Sequence, residues 1–526
     1  MAAPGALRDQ TMMVARLVRS LGPFFDAPLV TSTQAQLRLK EALNQRHLRF
    51  LDLLRRGVYE RPESPYLPLL RRAGITYASV EKLVDQRGLE GALADLYDAG
   101  VYVTLDEFKA RRPIRRAGLE VSTAGPVFDN PLMTRHYDTE TSGSRGPGTR
   151  LAVDLETIDL EACYARLFLD DFDLDRRPKV LWRSVPPGAA GLKSVLRMAR
   201  LGGGFEYWFS QTPTSLRQDP KHAVLLRAIR AAARWNGRTL PRPRHVGVAD
   251  ALTVAKVMAQ YCAAGTPGYL STTSSCAVRV CTAAQQHGLD IRGTFIRGSG
   301  EPLSPGKMKA ILAAGCVART HYAMAEVGRF GVACAHPVAV DDVHISSEKV
   351  AVLQREGGRD AVPGLWLTTL HGSLPRLMLN VEIGDWGVLE RRRCGCIWDT
   401  LGYTEHLHTV RSYEKLTSEG MHFIGADLIA LIEDVLPGRF GGTATDYQFV
   451  EEEDQGLTRV SLIVSPRVGP VSEPAILETV LATLASFNLG HRMMAGIWRQ
   501  SHTLRVVRRE PYATKTGKIH TLHVAP

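Results

Sequence analysis

Between Lys179 and Tyr322 the chain repeats one pattern, a short apolar segment followed by a longer stretch of helical spacing. Lys179-Val-Leu-Trp182, His245-Val-Gly-Val248, Gly268-Tyr-Leu-Ser271, Ile291 to Ile296 and Val317 to Tyr322 are strand-like. Ala251 to Tyr261, Cys276 to Gln286 and Leu303 to Gly315 place apolar residues three and four apart, as helices do. Parallel strands need a long crossover, so this alternation predicts an α/β fold with a mainly parallel sheet. Ligands of such sheets sit in the loops beyond the strand ends.

The flanks read differently. Thr33 to Leu54 and Ser79 to Tyr97 predict helices, Leu155 to Leu174 an amphipathic helix, and Ala223 to Trp235 a basic amphipathic one. From Val338 to Glu390 the segments Val343 to Ile345, Val350 to Leu353, Leu365 to Leu370 and Gly387 to Glu390 are short and separated by turns. They predict a small antiparallel, barrel-like region. Beyond the polar stretch Arg411 to Gly420 come a helix (Ala426 to Val435), strands (Asp446 to Glu451 and Arg459 to Val464), a longer helix (Glu473 to Phe487) and a strand near Thr503 to Val507. The expected organisation is a large multi-subdomain α/β domain over residues 1–410 and a small mobile α+β domain over 411–526, a division that suits 526 residues.

Charge and composition narrow the function. The net charge of +11 favours anionic ligands, but no zinc-finger spacing, RNA-binding aromatic motif or repeating basic helix accompanies it, so a nucleic-acid partner is not expected. No apolar run reaches membrane-spanning length and the first residues lack a secretory apolar block, so a cytoplasmic protein without a membrane partner is expected. Eight cysteines in such a chain make no disulfide framework; Cys163, Cys262, Cys276, Cys281 and Cys316 read as small buried hydrophobes.

Chemistry concentrates in a few loops. Thr139-Glu-Thr-Ser-Gly-Ser-Arg-Gly-Pro-Gly-Thr-Arg150 packs glycines, hydroxyls and guanidiniums into twelve residues, the means by which a backbone cradles phosphate oxygens. It lacks the Gly-Lys-Ser/Thr of the ATPase loop and the spacing of a dinucleotide fingerprint. Arg297-Gly-Ser-Gly-Glu-Pro-Leu303, Thr320-His-Tyr-Ala-Met-Ala-Glu326, Ile383-Gly-Asp385-Trp-Gly and Pro511-Tyr-Ala-Thr-Lys-Thr-Gly-Lys518 follow in order. Singly, each also reads as an ordinary turn, helix surface or tail.

Taken together, these stretches resemble the motifs of the adenylate-forming superfamily, which includes acyl-CoA synthetases, adenylation domains and luciferases, over roughly residues 130 to 520. The resemblance implies ATP-dependent activation of a carboxylic acid as an acyl-adenylate. It assigns the phosphate loop to Thr141, Ser142, Gly143, Ser144, Arg145 and Gly146 with Arg150 behind them, and the turn beside adenine to Ser299, Gly300, Glu301 and Pro302. Tyr322 is implied to pack on adenine, Glu326 to hold Mg²⁺, Asp385 to accept the ribose hydroxyls, and Arg411 to contact ribose or phosphate. Lys518 is implied to bridge the attacking carboxylate and the α-phosphate, with a hinge at Tyr413-Glu414 that withdraws it. Ala325, Met324 and Ala323 depart from the family's small, Gly-containing turn before the glutamate, and Arg145 replaces a hydroxyl.

A narrower resemblance, to the phenylacetate–CoA ligase-like branch, rests on Cys334-Ala-His336 and Cys394-Gly-Cys396. It implies a structural Zn²⁺ held by Cys334, Cys394, Cys396 and a histidine, with His336 preferred to His344; the alternative is loose cysteines on a hairpin. The acyl pocket is expected between His245 and Ser275, at Ser299 and along Thr320 to Met324, and its residues suit an aryl or medium-sized acid. The second step passes the acyl group to coenzyme A, or else to a carrier-protein thiol supplied in trans, an amine or nitrite. A non-catalytic ligand-binding relic is the remaining reading.

Overall fold

The computed structural model describes residues 17, 19–140, 150–186, 188–212, 220–355, 363–412, 415–418, 421–424, 431–454, 456–487, 489–512 and 522–524. The expected phosphate-loop residues 141–149, the hinge pair 413–414 and Lys518 lie outside them.

Helices α1 (Ser32–Asn44), α2 (Arg46–Leu54) and α3 (Tyr77–Asp98) lead to a hairpin of β1 (Tyr137–Glu140) and β2 (Arg150–Val153). Then come α4 (Leu155–Asp171), β3 (Lys179–Trp182), α5 (Ala189–Ala199), β4 (Tyr207–Ser210), α6 (Pro220–Trp235), β5 (Pro243–His245), α7 (Ala251–Ala263), β6 (Tyr269–Ser271), α8 (Ser274–Gln286), β7 (Phe295–Ser299), α9 (Pro305–Ala313) and β8 (Val317–Met324). Antiparallel strands follow: β9 (Gly328–Ala333), β10 (Val343–Ile345), β11 (Val350–Arg355), β12 (Gly364–Thr369), β13 (Val381–Arg391) and, after the short α10 (Ile397–Thr400), β14 (Glu405–Ser412).

These strands form one twelve-stranded sheet in the order β11-β12-β13-β14-β10-β9-β8-β7-β6-β3-β4-β5. The alternating segment supplies its parallel half, as the crossover argument requires. The strands read as barrel-like supply its antiparallel half. They meet on β8: residues Val317 to His321 pair parallel with β7, and Tyr322 to Met324 pair antiparallel with β9, with a register shift between Tyr322 and Ala323. The strand therefore changes partner one bond before Tyr322.

The helices cover both faces of the parallel half. Val254, Cys276, Val280 and Met308 of α7, α8 and α9 pack with Val180, Leu270 and Ile296 on one face. On the other, α4, α5 and α6 share a core with Leu181, Tyr269 and Phe295. Here the sequence expectation of an amphipathic α4 is corrected. Thirteen of its seventeen residues are buried, Glu161 and Arg166 among them, because the helix is a middle layer between the sheet, α1 and α5. A helix walled on all sides carries no apolar stripe to read. The strand expected at Ile291 begins instead at Phe295, after the positive-φ turn at Gly293.

The carboxy-terminal unit is built on a four-stranded sheet, β17-β16-β15-β18, from β15 (Tyr447–Asp454), β16 (Leu457–Val464), β17 (Leu504–Arg508) and β18 (Leu522–Val524). Helices α11 (Glu473–Phe487) and α12 (Leu489–Ser501) share its core, where Tyr447, Phe449, Leu462, Ile476, Leu484 and Trp498 are buried. The sequence reading missed α12 and β18. The unit touches the large one where Ser304 donates to Glu453 and Arg279 to the Ser501 carbonyl. No helix among the described residues is long and apolar enough to cross a membrane.

Candidate active site and thiol cluster

Tyr322 and Asp385 meet across the handover on β8. The Tyr322 hydroxyl donates to the Asp385 carboxylate, and its ring lies 4.6 Å from that of Phe330. Burial, then the adjacent Asp385, hold the phenol well above its ordinary pKa, so the proton stays on tyrosine. Asp385 is itself buried and pairs in register with Ser412, beside Arg411 on β14. Arg411 is half-exposed; its Nη1 donates to the Val410 carbonyl at 2.8 Å and stands 3.7 Å from Asp341.

The turn after β7 abuts the same place, since Ser299 is the register partner of His321. Gly300 has φ of 90°, a conformation that a side chain would strain, and it lets the chain turn sharply off the strand end. Glu301 then points inward. Its carboxylate accepts from the Ser275 amide and hydroxyl, both at 2.7 Å, and from Lys307 Nζ at 3.0 Å. It caps α8 and ties α8 to α9, so it positions the turn at Ser299–Gly300 while its own oxygens are engaged. The Pro302 carbonyl takes a further bond from Lys307 at 3.3 Å.

Glu140 and Arg150 are register partners in the β1–β2 hairpin, and residues 141–149 between them lie outside the described residues. Glu326 lies in the turn between β8 and β9 and is ion-paired to Lys109. The sequence carried no signal for that lysine, which comes from the end of a short helix 217 residues upstream. The structure thus brings Tyr322, Asp385, Ser299, Gly300 and Arg411 to one end of the sheet with Glu326 in the following turn.

A second constellation lies among the antiparallel strands. Cys334 follows β9, His344 sits in β10, and Cys394 and Cys396 precede α10. Their ligand atoms all lie within 4.8 Å of one another. Cys334 Sγ is 3.6 Å from Cys394 Sγ, and His344 Nε2 is 3.5 Å from Cys394 Sγ and 3.1 Å from Cys396 Sγ. The histidine gathered here is His344, whereas the sequence preferred His336. The His336 ring turns away to place Nδ1 2.8 Å from the Cys394 carbonyl, though its amide donates to Cys334 Sγ. His344 is oriented for a ligand's role: Nδ1 lies 2.7 Å from the Tyr403 carbonyl, which fixes the proton there and leaves Nε2 toward the thiols. A hydrogen bond from Cys334, with His344 adding to it, pushes the Cys396 thiol down to about 3. Four such donors suit Zn²⁺, whose tetrahedral thiolates stand about 3.8 Å apart.

Comparison with solved structures shows the fold. Over 93% of this chain and 89% of the other, it superposes with a TM-score of 0.53 and 14% identity on 2-hydroxyisobutyryl-CoA ligase in complex with 2-HIB-AMP and CoA in the thioesterification state. A postadenylation-state structure of that ligase aligns over 92% and 89% of the two chains, with 12% identity and a TM-score of 0.47. Acetoacetyl-CoA synthetase from Streptomyces lividans aligns over 97% and 81%, with 14% identity and a TM-score of 0.34. No protein-family model matches the chain, and no curated protein sequence is similar to it. The chain thus shares the fold of 2-hydroxyisobutyryl-CoA ligase, a large mixed α/β domain followed by a smaller α+β one.

Proposed function

We propose that this protein activates a carboxylic acid with ATP, releasing pyrophosphate, and passes the acyl group from the resulting adenylate to coenzyme A. The observation that carries the reading is the Tyr322–Asp385 pair, set beside the Ser299–Gly300 turn where β8 changes partner. A flat ring just past the carboxyl ends of parallel strands, faced by a buried carboxylate from antiparallel β13 at a change of topology, suits an adenine ring and two ribose hydroxyls. In this reading the segment from Thr141 to Gly146 with Arg150 holds the outer phosphates, and Arg411 contacts ribose or phosphate. Glu326 would help hold Mg²⁺, a hard ion suited to a carboxylate oxygen. Lys518, on a mobile domain covering residues 411–526, meets the charge that develops on the α-phosphate.

The thiol cluster supports placement near the phenylacetate–CoA ligase-like branch, with a structural Zn²⁺ on Cys334, His344, Cys394 and Cys396. The relic reading has one observation on its side: Lys109 occupies the Glu326 carboxylate where a cation would otherwise be needed.

The test is pyrophosphate release by wild type and Lys518→Ala over a panel of aryl, hydroxyaryl and aliphatic acids with ATP and Mg²⁺. Release that requires one acid and Lys518 is expected. ATP binding without turnover across the panel would establish the relic instead. Coenzyme A, carrier proteins, amines and nitrite then compete as acceptors for the adenylate.

A further inference from the structure

Beneath the Ser299–His321 rung lies a layer of buried cations that the adenylate site does not use. Arg297 is on β7, Arg329 on β9, Arg197 on α5 and Lys349 just before β11, while Arg183 follows β3. The four arginines are only 6 to 9% exposed and Lys349 is fully buried. They belong to one electrostatic neighbourhood. Burial, then Arg197, pulls the Arg329 guanidinium down to about 9; burial, then Arg297, does the same to Arg183.

Two carboxylates share this layer among the described residues, Glu161 and Glu348. Glu161 is committed: it binds Arg197 Nη1 at 2.6 Å and stands 3.8 Å from Lys349. Burial pushes Glu348 up, toward its neutral form. Glu301, nearby, is engaged by Lys307. Positive charge is therefore in excess in a place that water scarcely reaches, an arrangement that costs free energy unless a counter-charge arrives.

Unsatisfied donors stand in this layer alongside two unsatisfied acceptors, Glu348 Oε1 and Oε2. Arg329 Nε and Nη1, Arg297 Nε and His321 Nε2 are buried without hydrogen-bond partners. His321 Nδ1 accepts from the Ala333 amide at 3.2 Å, so the neutral ring carries its proton on Nε2. Burial and the arginines keep that ring neutral. The used guanidinium nitrogens only anchor the side chains: Arg297 Nη2 on Ser271 Oγ at 2.6 Å, and Arg329 Nη2 on the Glu161 carbonyl at 2.9 Å. Unpartnered N–H groups on two arginines and a histidine ask for an acceptor with several lone pairs and negative charge, which a carboxylate supplies.

Position connects this layer to the reaction. His321 precedes Tyr322 on β8 and pairs with Ser299, and Arg297 lies two residues before Ser299 on β7. Arg183 donates to the Ser299 hydroxyl and carbonyl. Arg297 and His321 thus stand within two residues of the strand ends at which the acid-activating reading sets the reacting carboxylate.

We propose that the acid activated here is a dicarboxylate, its distal carboxylate held by Arg297 and Arg329 with His321 Nε2–H as a further donor. This rests on the acid-activating reading, and it narrows the aryl or medium-sized acid expected from the sequence to a dianion. The apolar alternative would leave the same donors buried and unpaired in the complex, a mismatch that sites of this kind reject by about 100-fold or more.

The experiment compares mono- and dicarboxylic acids of equal chain length, butyrate with succinate and hexanoate with adipate, and benzoate with its ring-carboxylated counterparts. Binding to the full-length protein without ATP is read by calorimetry, and pyrophosphate release with ATP in parallel. At least one dicarboxylate is expected to exceed its monocarboxylate partner by about 100-fold in affinity, with that ratio collapsing toward one in Arg329→Met and Arg297→Met. Equal or stronger binding of every monocarboxylate by wild type would overturn the proposal, with or without a folded variant. Discrimination in binding with no pyrophosphate release from any acid would leave the dianion subsite standing and refute adenylation alone.

Discussion

Replacing Lys307 by methionine should destabilise the large unit far more than loss of a surface lysine. The Glu301–Lys307 pair is buried, with N to O 3.0 Å and side chains 0% and 2% exposed. At an effective dielectric of about 20, charges at that separation attract by about 5 kcal/mol, against the desolvation of both. Removing only the lysine strands a buried carboxylate whose remaining donors are the Ser275 amide and hydroxyl, and such losses cost about 3–5 kcal/mol. Glu301→Met in the same background removes the stranded charge, so the double variant should recover much of the loss. It should keep a deficit of about 1–2 kcal/mol for the lost cap on α8. The pH dependence separates them further. Lys307 and the Ser275 donors hold the Glu301 pKa below its ordinary value despite burial. The unfolded state therefore takes up the proton first as pH falls. Wild type should keep this contribution above about pH 5 and lose it on acidification through the folded pKa, while the double variant lacks that slope. Urea unfolding of the first transition, followed by tryptophan fluorescence at pH 7 and pH 4, measures both. A Lys307→Met variant within 1 kcal/mol of wild type, or strictly additive single and double losses, would refute the reasoning.

Three further outcomes are expected. If Asp385 meets the ribose as proposed, Asp385→Ala should weaken ATP binding by about 100-fold while leaving the far-UV circular dichroism unchanged, since it also removes the acceptor of the Tyr322 hydroxyl; ATP calorimetry reads it. Gly331→Ala should displace Tyr322, since an added Cβ would lie 2.8 Å from Tyr322 Cβ and 2.7 Å from Val343 Cγ2. The expected result is about 1–3 kcal/mol of destabilisation with weaker ATP binding. Purified protein should contain about one zinc by elemental analysis, and Cys396→Ser or His344→Ala should release it and lower the melting temperature, whereas His336→Ala should retain it. Protein without zinc, melting identically with and without a chelator, would remove the metal centre.

Much of the fold was legible because the parallel half writes itself as repetition: each crossover helix separates two short apolar strands. Gly300, Tyr322 and Asp385, which the structure brings together, could be singled out in the sequence because each falls in a short stretch of unusual composition between apolar segments. What stayed hidden depends on contacts between distant segments. Glu161 reads as an ordinary helix-surface carboxylate until α4 proves to be covered by the sheet, α1 and α5. Arg197, Arg297 and Arg329 cannot be told from solvated arginines by type, since burial is decided by partners on four separate elements. His344 lost to His336 because closeness to Cys334 in sequence is no guide across a hairpin. The antiparallel register sets His344 opposite His406, on a rung beside Cys394 and Cys396. Lys109 was missed for the same reason, with 217 residues between it and Glu326.

The handover on β8 also governs how the molecule comes apart. One eight-residue strand is stitched to β7 along its first five residues and to β9 along its last three. Peeling either half of the sheet from the other must therefore tear this strand. Its interior amides before His321 should exchange with solvent only in the rarest, most complete openings. At the register shift after Tyr322 the ladder is already interrupted, so deuterium should enter there first. Tyr322 would then lie on the border between the slowest-exchanging amides of the sheet and a faster patch, free to adjust its ring without loosening the strand that carries it.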